Sequence, residues 1–432
     1  MTNSIMCFLR MKPGRFVIAA GIACLFALQL GAQDTTELLA RIKAMEDRIN
    51  SLETEVRTLQ GQQQAAVVQP PAAAPQAVPA PVEVAGPAPS APQSIGGAAG
   101  AAAKVLNPDI SLLGNFLGAA GNSAGNPSPA LEMHESELAI QAIVDPYARA
   151  DVFLSFGEQG VNLEEGYLTF TSLPGALQLR VGKMRAAFGK VNSLHTHVLP
   201  WTDRPLVTMN ILAGEDGISD AGLSLSRTLP APKNIFLEGT AQVFRGDTPG
   251  LFQAARRSDL STLGHLRAFR DITESTNLDL GFSYARGHSP LGDGANQVYG
   301  IDATLRWKPL RRAIYHSFVA RSEFMWARAQ LAPSPQANPL PASPASPFGY
   351  YFSTDYQLAR RWFLGGRFDR SDRLLSPQLT DTGGSIILTY WPSEFSQLRG
   401  QLRRTSYAEN RTANEILFQL QFSLGAHGAH PF

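Results

Sequence analysis

Apolar and polar residues alternate with a period of two through most of this chain, and one short stretch near its start breaks the rule. "ELAIQAIV" sets Leu138, Ile140 and Val144 on one face and Glu137, Ala139 and Gln141 on the other. "ALQLRVGK" sets Leu177, Leu179 and Val181 against Gln178, Arg180 and Gly182, and "EILFQLQFSL" sets Ile416, Phe418, Leu420, Phe422 and Leu424 against glutamines and Ser423. Such alternation marks strands with one apolar face. It predicts strands near 108–119, 132–145, 147–157, 163–172, 176–188, 218–229, 234–245, 261–271, 276–287, 296–308, 315–329, 347–358, 361–370, 383–391, 397–408 and 415–425. The connections are expected to alternate between short ones ("DP", "SLPG", "LAR") and longer ones, the longest at 190–217, 246–260 and 330–346.

About sixteen strands with short turns at one end and long loops at the other predict an all-β fold, a transmembrane antiparallel β-barrel over 107–432. A secreted soluble sandwich is the alternative. It would need a core for the whole segment, whereas the apolar face here alternates with Arg, Glu, Asp, Gln and Ser in nearly every strand. Closure removes the sheet edges and lets one face meet lipid while the other lines water.

The exception to the pattern lies at 33–61. Leu38, Ile42, Met45, Ile49, Leu52, Val56 and Leu59 recur at spacings of four and three, the seam of a coiled coil. Branched residues at one seam position with leucine at the other favour dimers. Two consecutive matches to a trimer signature favour three strands instead: Arg41, Ile42, Met45 and Glu46, then Arg48, Ile49, Leu52 and Glu53. A segment this short is a marginal helix alone, so other parts of the chain must hold its copies together.

Residues 1–32 carry Arg10, Lys12 and Arg15, then the apolar run from Phe16 to Ala32, which predicts a signal peptide cleaved after Ala32; a signal anchor is the alternative. Both cysteines, Cys7 and Cys24, lie there, so the mature chain would have no disulfide, catalytic thiol or cysteine-bound metal. Residues 62–106 are rich in Pro and Ala and read as an extended linker.

Charge refines the picture only locally. Charged residues make up 17% of the 432, the net charge is +1 and mean hydropathy is −0.09, which fits no helical membrane protein and gives no ground for nucleic-acid binding. Alternation points Arg180, Arg306, Arg321, Arg367, Arg399 and Arg403 into the lumen, and from Arg306 onward basic residues outnumber acidic by about two to one. Arginine suits carboxylate and phosphate, which suggests anions as solutes. Glu137, Asp151, Glu238, Asp279, Asp302 and Glu323 point inward by the same parity, and cross-lumen ion pairs are the competing expectation.

At "LQLRVGKMRAAFGKVNS", with its glycine-lysine and phenylalanine-glycine pairs, and at the terminal Phe432, the chain resembles the phosphate-selective porin O and P family. That resemblance implies an outer-membrane homotrimer of sixteen-stranded barrels, inserted by the barrel assembly machinery. It implies passive diffusion of small anionic or polar solutes, both barrel termini in the periplasm, and a third external loop folded inward to narrow the pore. Here that loop is Lys190 to Gly217, and Lys183, Arg185, Lys190, His195, His197, Asp203 and Arg204 join the lumenal arginines as candidate pore-lining groups. The four barrel lysines fall short of a lysine ladder, and "GAHGAHPF" displaces the terminal assembly signal.

Other chemistry is weaker. "HTH" at His195–His197 and "HGAH" at His427–His430 offer imidazoles for zinc, but without cysteine partners they read as solvated loops, and no metal or cofactor is expected. No HExxH motif or phosphate loop supports an enzyme. A receptor with a plug would need a globular N-terminal domain, which 33–106 does not supply. An envelope tether, holding the membrane to peptidoglycan through the N-terminal arm, shares the same barrel.

Overall fold

The structure, a computed structural model, describes residues 108–122, 129–158, 160–212, 214–291, 294–330 and 344–425, together with Lys43. The signal segment, the linker, the terminal "GAHGAHPF" and the coiled coil apart from Lys43 lie outside the described residues. The chain divides into two units, Met1–Ala85 and Gly86–Phe432.

Sixteen strands follow one another. They are β1 Asp109–Asn122, β2 Leu131–Asp145, β3 Ala148–Gly157, β4 Gly160–Leu173, β5 Leu177–Arg185, β6 Ser219–Leu229, β7 Phe236–Phe244 and β8 Ser261–Thr273. Then come β9 Thr276–His288, β10 Ala295–Trp307, β11 Phe318–Arg328, β12 Phe348–Ala359, β13 Trp362–Arg373, β14 Ser376–Ser393, β15 Ser396–Tyr407 and β16 Arg411–Gly425. Each pairs antiparallel with its sequence neighbours, and β1 pairs with β16 from Ser111 opposite Gly425 to Asn122 opposite Asn414, closing the barrel. Closure leaves no free edge to recruit another strand.

The two faces separate as the alternation requires. Phe368, Ile386, Leu402 and Ile416 stand exposed on the outside, an apolar surface of the kind that faces lipid. Tyr299 and Trp326 stack there at 5.8 Å, and Phe324 and Tyr350 at 5.7 Å, amphipathic rings suited to a membrane interface. Gln242, Thr304, Gln401 and Gln419 are buried on the inside.

One expectation about the links needs correction. Short turns do occupy one end, but the other end is not uniformly long. Gly157 pairs with Gly160, Arg373 with Ser376 and Tyr407 with Arg411, so three links at that end are tight hairpins. Strand alternation extends closer to these turns than the polar residues in them suggested. On the short-turn side, 308–317 is the long exception.

The largest apolar core lies inside the barrel. Phe188, Leu199, Trp201, Val207, Ile211 and Leu212, all from the β5–β6 connection, are at most 1% exposed and pack with Ala285, Val298, Met325 and Tyr351 of the wall. Polar alternation alone does not reveal such a core, because its wall side consists of scattered apolar residues at lumenal positions.

Candidate functional site

The β5–β6 connection, 186–218, enters the lumen. Gly189 begins it at φ +59°, a left-handed conformation that glycine adopts without steric cost, and a Cβ there would stand 2.7 Å from a Glu323 carboxylate oxygen. Asn192 joins the two ends of the loop: its Nδ2 donates to the carbonyls of Ala186 and Ile218, and its Oδ1 accepts from the Ile218 N–H. Within the loop lie a 3-10 turn, Thr196–Val198, and one short helix, α1, Leu206–Ile211. α1 presents Val207, Thr208 and Ile211 to the interior.

Polar contacts fasten the loop to the wall on three sides. On the first, Glu323 of β11 accepts from the N–H groups of Lys190 and Val191 at 2.8 Å each, and the Lys190 ammonium meets Asp279 of β9 at 2.8 Å.

On the second, Asp203 takes Arg367 of β13 at 2.7 Å and Arg403 of β15 at 2.8 Å. Arg367 also pairs with Asp369 and lies 4.9 Å from the Trp201 ring centroid, and Arg403 pairs with Glu415 at 2.6 Å. Burial disfavours the charge on Asp203, but the two guanidiniums outweigh it and hold its pKa down at about 2. Arg399 donates to the Trp201 carbonyl at 3.1 Å and to Gln419 at 2.7 Å, so this corner of the loop rests on three arginines.

On the third side His195 and His197 meet four carboxylates. His195 Nδ1 lies 2.5 Å from Glu137 and 3.1 Å from Glu164, and its Nε2 lies 2.8 Å from Glu165. His197 Nδ1 lies 3.2 Å from Glu135 and 3.6 Å from Glu137. Burial disfavours charge on His195, but its hydrogen bonds to Glu137, Glu164 and Glu165 prevail and raise its pKa well above the usual imidazole range.

The expected pore-lining residues therefore scatter. Asp203, Arg367, Arg399 and Arg403 come together at one corner. Lys190 lies apart from them with Asp279, which Arg306 approaches to 4.0 Å, and Arg321 pairs with Asp355. Arg180 lies over the Tyr167 ring at 5.3 Å. Arg185 reaches Glu164 at 3.2 Å and is thereby drawn into the histidine cluster. Arg204 is 4% exposed and braces the loop by donating to the carbonyls of Val191 and Leu194.

Lys183 departs from the expectation. It pairs opposite Gly166 and Ala221 on the same face as the exposed Val181, Leu168 and Leu223, and donates to the Leu163 carbonyl. It stands on the outer face, because the alternation of β5 from Leu177 runs on through Lys183. His195 and His197 are buried at 9% and 5% exposure and carboxylate-bound, not solvated as their loop position implied.

Glu135, Glu164, Glu165 and Asn192 went unnoticed in the sequence. Parity does place Glu135 on the lumenal face with Glu137. A bulge in the β3–β4 pairing beside Leu163 and Glu165 hides Glu164 from any parity argument. Next to Asp203 and Arg403 a cavity of about 410 Å3 remains, bordered by Glu132, His134 and Glu215.

No family model matches the chain. An uncharacterized protein of Aquifex aeolicus is 28% identical over 356 residues, which span 73% of this chain and 74% of that one. Among solved structures, the anion-selective porin from Comamonas acidovorans matches with a TM-score of 0.51 at 10% identity, covering 74% of this chain and all of that one (100%). Pseudomonas putida OprB matches at 0.51 and 10%, covering 75% and 95%, and the outer membrane channel DcaP of Acinetobacter baumannii at 0.50 and 11%, covering 74% and 96%. At these identities the likeness concerns architecture: the chain has the fold of a sixteen-stranded porin-type barrel.

Proposed function

We propose that this protein is an outer-membrane porin, a trimer that lets small hydrophilic solutes diffuse down their gradients without cofactor or catalysis. The observation that carries this reading is the inward-folded β5–β6 loop, fastened to β2–β4, β9, β11, β13 and β15, which narrows a lumen lined by polar side chains. The named porins and channels of the same fold support it. In this reading the N-terminal arm trimerises, and association of the barrels raises the local concentration of its three short helices. The resemblance to phosphate-selective porins O and P belongs to the same proposal, as do periplasmic termini and insertion by the barrel assembly machinery.

Anion preference is the finer part. It rests on Arg180, which is exposed, lies over the Tyr167 ring and among the described residues carries no ion pair, while Arg321, Arg367 and Arg403 are offset by carboxylates and Arg399 is buried beneath the loop. Single-channel current from the purified protein in a planar bilayer under a KCl gradient tests both parts. Current steps grouped in threes with an anion-directed reversal potential are expected. A folded, heat-modifiable barrel that never conducts would overturn the porin and favour the peptidoglycan tether; a cation-directed potential would overturn only the anion preference.

A further inference from the structure

The histidine side of the loop has a composition unlike the other two. Glu135, Glu137, Glu164, Glu165, His195 and His197 come from β2, β4 and the loop, and each is at most 9% exposed. Arg185 offsets Glu164. Three buried carboxylates then remain around two imidazoles, so even with both rings protonated one negative charge is left over, and a low-dielectric site favours an added cation.

The atoms are also aimed suitably for a metal. One ligand atom from each of Glu137, His195 and His197 lies within 4.8 Å of the others. Tetrahedral zinc with bonds of about 2.0–2.1 Å sets its ligand atoms about 3.3 Å apart. Around the two Nδ1 atoms the separations are 3.1 Å to Glu164, 3.2 Å to Glu135 and 3.6 Å to Glu137; the 2.5 Å contact between His195 and Glu137 would open and the wider separations, up to 4.8 Å, would close around the ion. The far nitrogen of His195 is held by Glu165 at 2.8 Å, the carboxylate–histidine arrangement that fixes the ring and its tautomer in metal sites.

We propose that Glu137 and the Nδ1 atoms of His195 and His197 form a site for a divalent transition-metal cation of the zinc class. Glu135 or Glu164 supplies the fourth ligand, and Glu165 orients His195. Two imidazoles with carboxylates select this class over magnesium and calcium, which prefer all-oxygen shells. The bound ion joins the loop to β2 and acts as a clasp on the constriction. A cavity of about 410 Å3 bordered by His134 and Glu215 lies near the site, since Thr196, between the two histidines, donates to Glu215.

The inference concerns the loop anchor alone and does not depend on conduction. Its test uses the full chain in detergent, stripped with EDTA, with His427→Ala and His430→Ala in every sample so that the C-terminal histidines cannot contribute. Isothermal titration with ZnCl2 is expected to show one Zn2+ per chain, and Ca2+ in tenfold excess should not displace it. His197→Ala and Glu137→Gln should abolish stoichiometric binding, and Glu165→Ala should weaken it by about tenfold or more. His265→Ala, a lumenal histidine bonded to Ser283, should leave it unchanged. Circular dichroism and heat-modifiable migration establish that each variant is folded. Absence of stoichiometric Zn2+ binding to the folded parent, or equal binding by the parent and the folded His197→Ala variant, would overturn the proposal, as would a preference for Ca2+.

Discussion

The loop inside this barrel is held at two corners by opposite chemistry. At one, a loop carboxylate, Asp203, sits between the wall guanidiniums of Arg367 and Arg403, and with Asp369, Glu415 and Arg399 the corner holds three carboxylates and three guanidiniums. At the other, loop imidazoles face a wall of carboxylates that they do not fully offset. The protein supplies every charge the first corner needs, so that corner is a structural staple. The second has room in its charge balance for an added cation, and there an external ion can adjust the loop. Half of the six arginines that alternation points into the lumen, Arg367, Arg399 and Arg403, hold the loop.

The strongest way to break this contrast is Asp203→Ala. Arg367 and Arg403 are 1% and 14% exposed, and removing their shared partner leaves three guanidiniums, with Arg399, against the two carboxylates of Asp369 and Glu415. A loss of about 3 kcal/mol is expected, from the usual cost of breaking a buried pair, read as an earlier midpoint in urea unfolding from lipid vesicles. If the variant unfolds at the parent's midpoint, this corner is not a staple.

Asn192→Ala comes next. It removes three hydrogen bonds between the two ends of the loop at a site with no exposure, for an expected cost of about 2 kcal/mol. Freed ends should admit larger solutes, so liposome swelling with sugars of increasing size is expected to shift its cutoff upward. An unchanged cutoff would show that the wall contacts alone hold the constriction.

The smallest effect sharpens the contrast through pH. The folded pKa of Asp203, about 2, lies below an ordinary carboxylate's value of about 3.9, so its contribution is full above the unfolded value and lost as pH falls through the folded one. The stability difference between the parent and Asp203→Asn should therefore stay constant from pH 8 to 5, then shrink as pH falls toward 2. A difference that changes between pH 8 and 6 would mean that Asp203 is coupled to a group titrating near neutrality, and the two corners would not be separable.

Much of the molecule is legible in the chain. Strict alternation in "EILFQLQFSL" assigns both faces of β16, and in "LQLRVGK" it assigns the faces of β5 and points Lys183 outward, against the pore-lining place expected for it. The inward-turning loop is signalled by Phe188 and Gly189, where the backbone takes a left-handed turn, and by its length. Tight links at 157–160 and 373–376 were read as longer because polar residues near a hairpin do not reveal where pairing stops.

The partners were not legible, and the reason is physical. Alternation is a local property of a pleated backbone, so outside a bulge such as the one beside Glu164 each strand's sequence by itself determined which residues face inward. Which inward residues meet depends on closure and on the path of the loop. Asp203 finds Arg403 across 200 positions and His195 finds Glu137 across 58. No local pattern ties those residues together. Only the closed barrel, with its loop folded through the middle, decided that one group of charges is balanced and the other is not.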